Sequence, residues 1–146
     1  MLISSKGRYA LRLMIYIAAL GDAEGKIALR EVADREHISQ KYLEQLVRPL
    51  MKAGLLKSVR GKGGGYRLNG TPDQFTVRRI LEITEGSLAP VACLDDSPNA
   101  CARAGECATL VLWERLSRAI NETVDGMTLA DLAEIQRAKA GNDYVI

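Results

Sequence analysis

The chain predicts a mainly α fold with one small β-hairpin: a winged helix-turn-helix followed by a long dimerisation helix. Three stretches carry that prediction. Residues 28–52 hold two short amphipathic segments joined by a tight turn. Residues 60–65, RGKGGG, form a basic glycine-rich stretch between two short strand candidates. Residues 109–124 carry a long apolar stripe that needs an apolar partner.

Taken in order, Ser4 or Ser5 caps a first helix whose buried stripe is Ala10, Leu13, Met14 and Ile17 and whose end is Gly21. Lys6, Arg8 and Arg12 lie at its start, where unpaired N–H groups and basic side chains suit a phosphate. GDAEGK, 21–26, is a turn. A short helix follows through Leu29, Val32 and Ala33, with Ile38 closing the corner. Ser39 then caps the second helix of the pair. Tyr42, Leu43, Leu46, Val47, Leu50 and Met51 recur at helical spacing on one face. The opposite face carries Gln40, Lys41, Glu44, Gln45 and Arg48, long polar side chains able to reach phosphates or base edges. Pro49 lies inside this pattern. It removes one hydrogen bond and meets the carbonyl four residues back, so a kink or break is expected near Gln45 to Arg48. Gly54 stops the helix.

Leu56 to Val59 and Tyr66 to Leu68 are the strands of the hairpin. Its loop presents Arg60 and Lys62, and Gly63 and Gly64 let the backbone approach a ligand closely. The glycine run does not fit a P-loop, because no Gly-Lys-Ser/Thr opens a helix after it. A helix-turn-helix with such a hairpin reads as a DNA-binding module, the helix in the major groove and the wing on backbone or minor groove. The expected DNA contacts are Lys6, Arg8, Ser39, Gln40, Lys41, Tyr42, Glu44, Gln45, Arg48, Arg60, Lys62, Gly63, Gly64 and Tyr66.

After the wing, NGTPDQ is a turn, and Thr76 caps a helix through Val77, Ile80, Leu81 and Thr84 that Gly86 stops. An irregular stretch, 87–106, follows. The long helix comes next, with Leu112, Trp113, Leu116, Ala119, Ile120 and Val124 along its stripe. The first five of these are the expected homodimer contacts, since a two-fold axis sets two reading heads one duplex turn apart. The last helix opens on Thr128 and Asp131 in capping-box spacing. The expected units are 1–85 for DNA binding, 86–108 as a cysteine loop, 109–137 for the dimerisation and C-terminal helices, and 138–146 as a loose tail.

Composition agrees with a nucleic-acid binder. The net charge of +2 hides an asymmetry. Residues 1–80 hold 15 Lys and Arg against 7 Asp and Glu, and residues 81–146 hold 5 against 11. A basic half beside an acidic half fits DNA binding joined to a second function. No apolar run reaches membrane-span length and the first residues lack a signal-peptide pattern, so the expected location is cytoplasmic, with no membrane partner. No Ser/His/Asp set, no His beside a Cys and no nucleotide loop is present, so no enzymatic activity is expected.

Cys93, Cys101 and Cys107, spaced C-x7-C-x5-C, are all the cysteines of the chain. In a cytosolic protein such a cluster points to metal or redox chemistry rather than a structural disulfide. Three soft thiolates suit an iron–sulfur cluster, zinc or copper(I). The short C-x2–4-C spacing typical of zinc sites is absent. The alternative is a cluster-free regulator that uses the cysteines as a thiol redox sensor or a zinc site.

SKGRYALRLM at 5–14, ISQKYLEQL at 38–46, VRGKGGGYRL at 59–68, the three-cysteine loop and TLVLWERLS at 109–117 resemble the IscR/NsrR/RirA group of bacterial transcription regulators, the Rrf-two family. The resemblance runs from residue 1 to about residue 135. It implies a homodimeric winged helix crossed by helix 109–124. It also implies an iron–sulfur cluster in loop 93–107 whose presence or state changes binding to a double-stranded DNA operator. Cys93, Cys101 and Cys107 would be the ligands, and Glu44 with its neighbours and Arg60 the DNA readers. Three departures stand out. The first cysteine spacing is longer than in IscR-like proteins and resembles that of RirA-type regulators. IscR-like proteins have a histidine three residues after the last cysteine, where this chain has Leu110. NsrR-like proteins can use an acidic residue near the start of the first helix, where this chain has Arg8. The fourth ligand is therefore open among Asp95, Asp96, Glu106, water or a small thiol. These departures favour a 4Fe–4S cluster, easily lost at its unprotected iron, over 2Fe–2S.

Overall fold

Helix α1, Ser5–Leu20, is the element on which the head is built. Ala10, Leu13, Met14 and Ile17 are its buried positions, as the spacing predicts, and Ser4 caps it by accepting the Gly7 N–H. The computed structural model describes residues 2–21 and 24–142, with the backbone alone at Asn142. Around α1 the chain lays β1 (Lys26–Ile27), α2 (Leu29–Glu36), α3 (Gln40–Lys52), β2 (Leu56–Val59), β3 (Gly65–Leu68) and α4 (Val77–Glu85). The cysteine segment, with two short 3-10 turns, leads to α5 (Ala108–Gly126) and α6 (Leu129–Asn142).

The turn between α2 and α3 is closed by His37, which takes a left-handed conformation at φ 55° and donates its N–H to the Ala33 carbonyl. Helix α3 runs unbroken through Pro49, so the expected break near Gln45 to Arg48 does not occur. Pro49 sits in the last turn, where it removes a single donor, the one that would meet the carbonyl of the exposed Gln45. The helix ends in a Schellman motif. Gly54, at φ 79°, donates to the Met51 carbonyl and Leu55 donates to the Leu50 carbonyl at 2.9 Å. Leu50 and Leu55 are both fully buried there.

The wing contains a strand that periodicity did not announce. Order in the sheet is β1-β3-β2, all antiparallel. The two-residue β1 is too short for an alternating pattern. It joins because Gly65 lets two backbones meet: a Cβ there would lie 2.4 Å from the Ile27 carbonyl oxygen.

Helix α6 returns to the head. Its Leu129 is fully buried in the core built around α1, and its Arg137 donates to the Ala18 carbonyl at 2.9 Å. Leu132 of α6 shares with Ile120 and Val124 of α5 the small cluster around Val77, Leu81 and Leu88. The helix also continues to Asn142, through the first five residues of the segment 138–146 expected to be loose, and 143–146 lie outside the described residues. The cap forms as its spacing predicts: Asp131 accepts the Thr128 N–H at 2.8 Å, and Thr128 Oγ1 accepts the Asp131 N–H at 3.2 Å.

Two clasps join α4 to its neighbours. Arg78 donates to both carboxylate oxygens of Asp125, to Asn121 at 2.8 Å and to Glu82 at 3.1 Å, so α4 is tied to α5. The Arg78 guanidinium in turn holds the Asp125 carboxyl below the usual carboxylate range. At the other end of α4, Glu85 Oε1 accepts the Ser4 N–H at 3.1 Å and the Ser4 hydroxyl at 2.6 Å. Gly7 is buried beneath this carboxylate, and a Cβ there would lie 2.1 Å from Glu85 Oε1. Gly7→Ala is expected to push Glu85 off Ser4. Losing hydrogen bonds to a charged group costs roughly 1.5–3 kcal/mol, against roughly 1 kcal/mol gained from alanine in a helix, so a net loss of about 1 kcal/mol is expected. Urea melts of Gly7→Ala, Glu85→Gln and the double variant check this, because the two losses must be non-additive if they share one contact.

Candidate nucleic-acid interface and cysteine loop

The face of α3 opposite its buried residues is free. Gln40, Lys41, Glu44, Gln45 and Arg48 are all exposed, as an amphipathic helix seated on a core requires. Ser39 spends its hydroxyl oxygen on the cap, accepting the Tyr42 N–H at 3.1 Å. Tyr42 is half-buried, its ring edge-on to Tyr9 with centroids 6.0 Å apart. It braces α3 against α1 as well as bordering the exposed face.

On the wing, Arg60 and Lys62 are exposed on a loop that Gly61 and Gly63 turn at φ 102° and 75°. A Cβ at Gly64 would lie 2.4 Å from the Val59 carbonyl, so the tip keeps its tight form only with glycine there. Tyr66 faces inward and packs against the core. At the start of α1, Lys6 and Arg8 are exposed. The N-terminus itself is partly taken, since Glu85 occupies Ser4 and the Ser4 hydroxyl occupies Gly7. Arg12 is engaged elsewhere. It meets Glu36 Oε2 at 2.6 Å, while the Tyr16 hydroxyl donates to Glu36 Oε1 at 2.6 Å. Burial, followed by the neighbouring Glu36, raises the Tyr16 hydroxyl above its ordinary range.

Helix α5 has no buried residue within one chain. Its C-terminal half rests on its own protein: Ile120 and Val124 pack with Val77, Leu81 and Leu88. Its N-terminal half does not, for Val111, Leu112 and Leu116 are 61%, 51% and 41% exposed. Trp113 is half-buried and Ala119 exposed. Of the five stripe residues, Ile120 is thus already engaged within the chain.

The cysteine segment hangs between the α4 clasp and the α5 stripe. All three thiols are free; Cys93 sits in the 3-10 turn Ala92–Leu94, Cys101 is exposed, and Cys107 is the N-cap residue of α5. The Thr109 hydroxyl, 3.3 Å from Cys107 Sγ, lowers that thiol below its ordinary range, helped by the N–H of Leu110 and Thr109 and by Arg103. A thiolate is favoured at a helix N-terminus for the same reason. Cys101 is held by its N–H, which donates to Asn99 Oδ1 at 2.9 Å. Of the carboxylates, Asp95 accepts from the Ser87 hydroxyl, while Asp96 and Glu106 are exposed. Among the described residues no group of three or more Cys, His, Asp or Glu is gathered for a metal. The set fits an iron–sulfur cluster in donor chemistry, with three unpaired thiols and one already biased to thiolate. It is not drawn together in this conformation of the loop.

The clasps at Arg78 and Glu85 are what sequence reasoning missed. Partners 47 and 81 residues apart leave no local pattern to read.

Comparison with known proteins bears on this arrangement. The Rrf2 family model, described as an iron-dependent transcriptional regulator, matches residues 3–135. The HTH-type transcriptional regulator CymR of Bacillus subtilis is 44% identical over 133 residues, covering 91% of this chain and 90% of that protein. The regulator IscR of Aliivibrio salmonicida is 40% identical over 132 residues, covering 90% of this chain and 77% of the relative. The solved structure of CymR, described as the global cysteine regulator of B. subtilis, superposes with a TM-score of 0.78 at 41% identity, covering 92% of this chain and 98% of that one.

Proposed function

Because the chain belongs to the Rrf2 family of transcriptional regulators, we propose that it is a homodimeric repressor or activator whose grip on a double-stranded DNA operator is set by an iron–sulfur cluster on Cys93, Cys101 and Cys107. The observation that carries this reading is the position of the three free cysteines. They occupy the segment that leads from α4 into α5, and the last of them stands at the N-cap position of α5.

The residues take distinct parts. Gln40, Lys41, Glu44, Gln45 and Arg48 meet base edges and phosphates in the major groove, and Arg60 and Lys62 meet the flanking backbone or minor groove. Leu112, Trp113, Leu116 and Ala119 cover one another across the two-fold axis, where exposed leucines on an unpartnered helix gain most from burial. The bound cluster supplies an iron- and oxidant-sensitive crosslink of the loop. The protein's own contribution is the route from that loop to the head. Cys107 begins α5, Arg78 clasps α5 to α4, and Glu85 joins the end of α4 to the start of α1. A shift of α5 thereby reaches the spacing of two reading heads. With neither histidine nor first-helix carboxylate as fourth ligand, a 4Fe–4S cluster with one exchangeable iron position is favoured.

The test is an absorption spectrum of protein purified without oxygen, with iron and acid-labile sulfide counted per monomer. It is followed by operator binding before and after the cluster is removed. Brown protein with near-equal iron and sulfide, and an operator affinity that changes on removal, is the expected result. A colourless protein whose DNA binding responds only to thiol oxidants would overturn the cluster and leave the winged helix standing.

One observation favours a second reading. Cys107 is biased toward thiolate without any metal, and the relative CymR is described as a cysteine regulator. A cluster-free regulator with Cys107 as its oxidant-sensing thiol uses the same path through α5.

A further inference from the structure

Three cations stand abreast on the solvent face of the wing sheet. Arg67, on the central strand β3, is the register partner of Lys26 on β1 and of Lys57 on β2. Like charges directly opposite one another destabilise a sheet. The opposite face of the same strands packs Tyr66, Leu68, Leu56 and Ile27 on the core, and that burial requires only that the outer positions be polar. Lys26 has an acidic neighbour, Glu24, at 3.0 Å. The side chains of Arg67 and Lys57 make no hydrogen bond or ion pair among the described residues. The stripe is continuous with the wing tip, because Arg67, Ser58, Val59 and Arg60, together with Glu24, line one open concavity of about 550 Å³.

We propose that Lys57 and Arg67, with Lys26 beside them, form a second contact to duplex DNA, on the phosphate backbone flanking the segment that α3 and the wing tip read. A rigid row of cations matches a polyanion. It does not match a folded protein partner, because the row has no apolar centre to bury. The inference rests on the DNA-binding reading of the head and extends its footprint.

The test compares the wild-type protein with the Lys57→Gln/Arg67→Gln variant on a duplex that the wild type selects from a random-sequence pool. A second duplex is trimmed at both flanks. On the full duplex the variant's slope of log affinity against log salt should be shallower by about one to two units, at about 0.9 per phosphate contact. Trimming should weaken the wild type and leave the variant unchanged. Ethylation of the flanking phosphates should interfere with the wild type alone. Equal slopes, or an equal loss on both duplexes, would overturn the contact, the latter by showing a through-space effect. Thermal melts keep folding separate, since relieving like-charge repulsion should leave the variant at least as stable. A wild type that selects no sequence would overturn the DNA-binding reading itself, whereas a selecting wild type matched by its variant overturns this inference only.

Discussion

Cys107→Ala is expected to yield a colourless protein when purified without oxygen, with an operator affinity shifted by about 5- to 150-fold, the usual span of an allosteric coupling. The size of the effect follows from position. Cys107 is a ligand in the proposed cluster and also the residue from which α5 starts. Cys93→Ala and Cys101→Ala then discriminate between mechanisms. If the three thiols act as one ligand set, all three variants lose colour and regulation together. If Cys107 alone senses oxidants, the other two keep their response. A fourth variant, Thr109→Val, removes the hydroxyl that most lowers the Cys107 thiol. With the thiolate less favoured, the titration moves upward in pH, so alkylation of the apo protein by iodoacetamide near neutral pH should slow at Cys107. An unchanged pH profile for that alkylation would remove the basis for thiolate character.

Leu129→Ala should be the most destabilising single truncation beyond α4. Leu129 is fully buried in the core built around α1, although it belongs to the sixth helix, and its N–H donates to the Phe75 carbonyl at 2.8 Å. Truncating a buried leucine costs about 2–5 kcal/mol through lost burial and the cavity left behind. For a domain of this size Tm should fall on the order of 5–15 °C at fixed protein concentration. The exposed Leu116, truncated to alanine, should cost little within one chain and act instead on dimer dissociation. Calorimetry of Leu129→Ala and sedimentation of Leu116→Ala separate these two roles for leucines only thirteen positions apart. A small Tm change for Leu129→Ala would show that α6 is not part of the head.

Much of the fold was legible because its signals are local. Ser39 three residues before Tyr42, Thr128 three before Asp131, and Gly54 after Lys52 are caps whose chemistry is complete within one turn. Apolar spacing at Leu43, Leu46, Val47 and Leu50 named both the buried face of α3 and, by exclusion, its exposed polar face. The basic glycine stretch 60–65 named the wing. The break expected at Pro49 does not form because a local penalty was set against packing that a sequence does not display, with Leu46, Val47 and Leu50 holding the helix on the core from both sides of the proline.

By itself, then, the sequence determined the helices and their caps, the two faces of α3, the wing and the grouping of three soft ligands on one loop. These depend on spacing within a few residues. Only the tertiary structure decided that β1 completes the wing at Gly65, and that three cations consequently stand side by side across it. It likewise decided that α6 belongs to the head, that Arg78 and Glu85 clasp α4 to α5 and α1, and that Ile120 is spent within the chain while Leu112 and Leu116 are left uncovered. The physical reason is the same in each case: these contacts join residues tens of positions apart, and their free energy exists only once the chain has closed around α1.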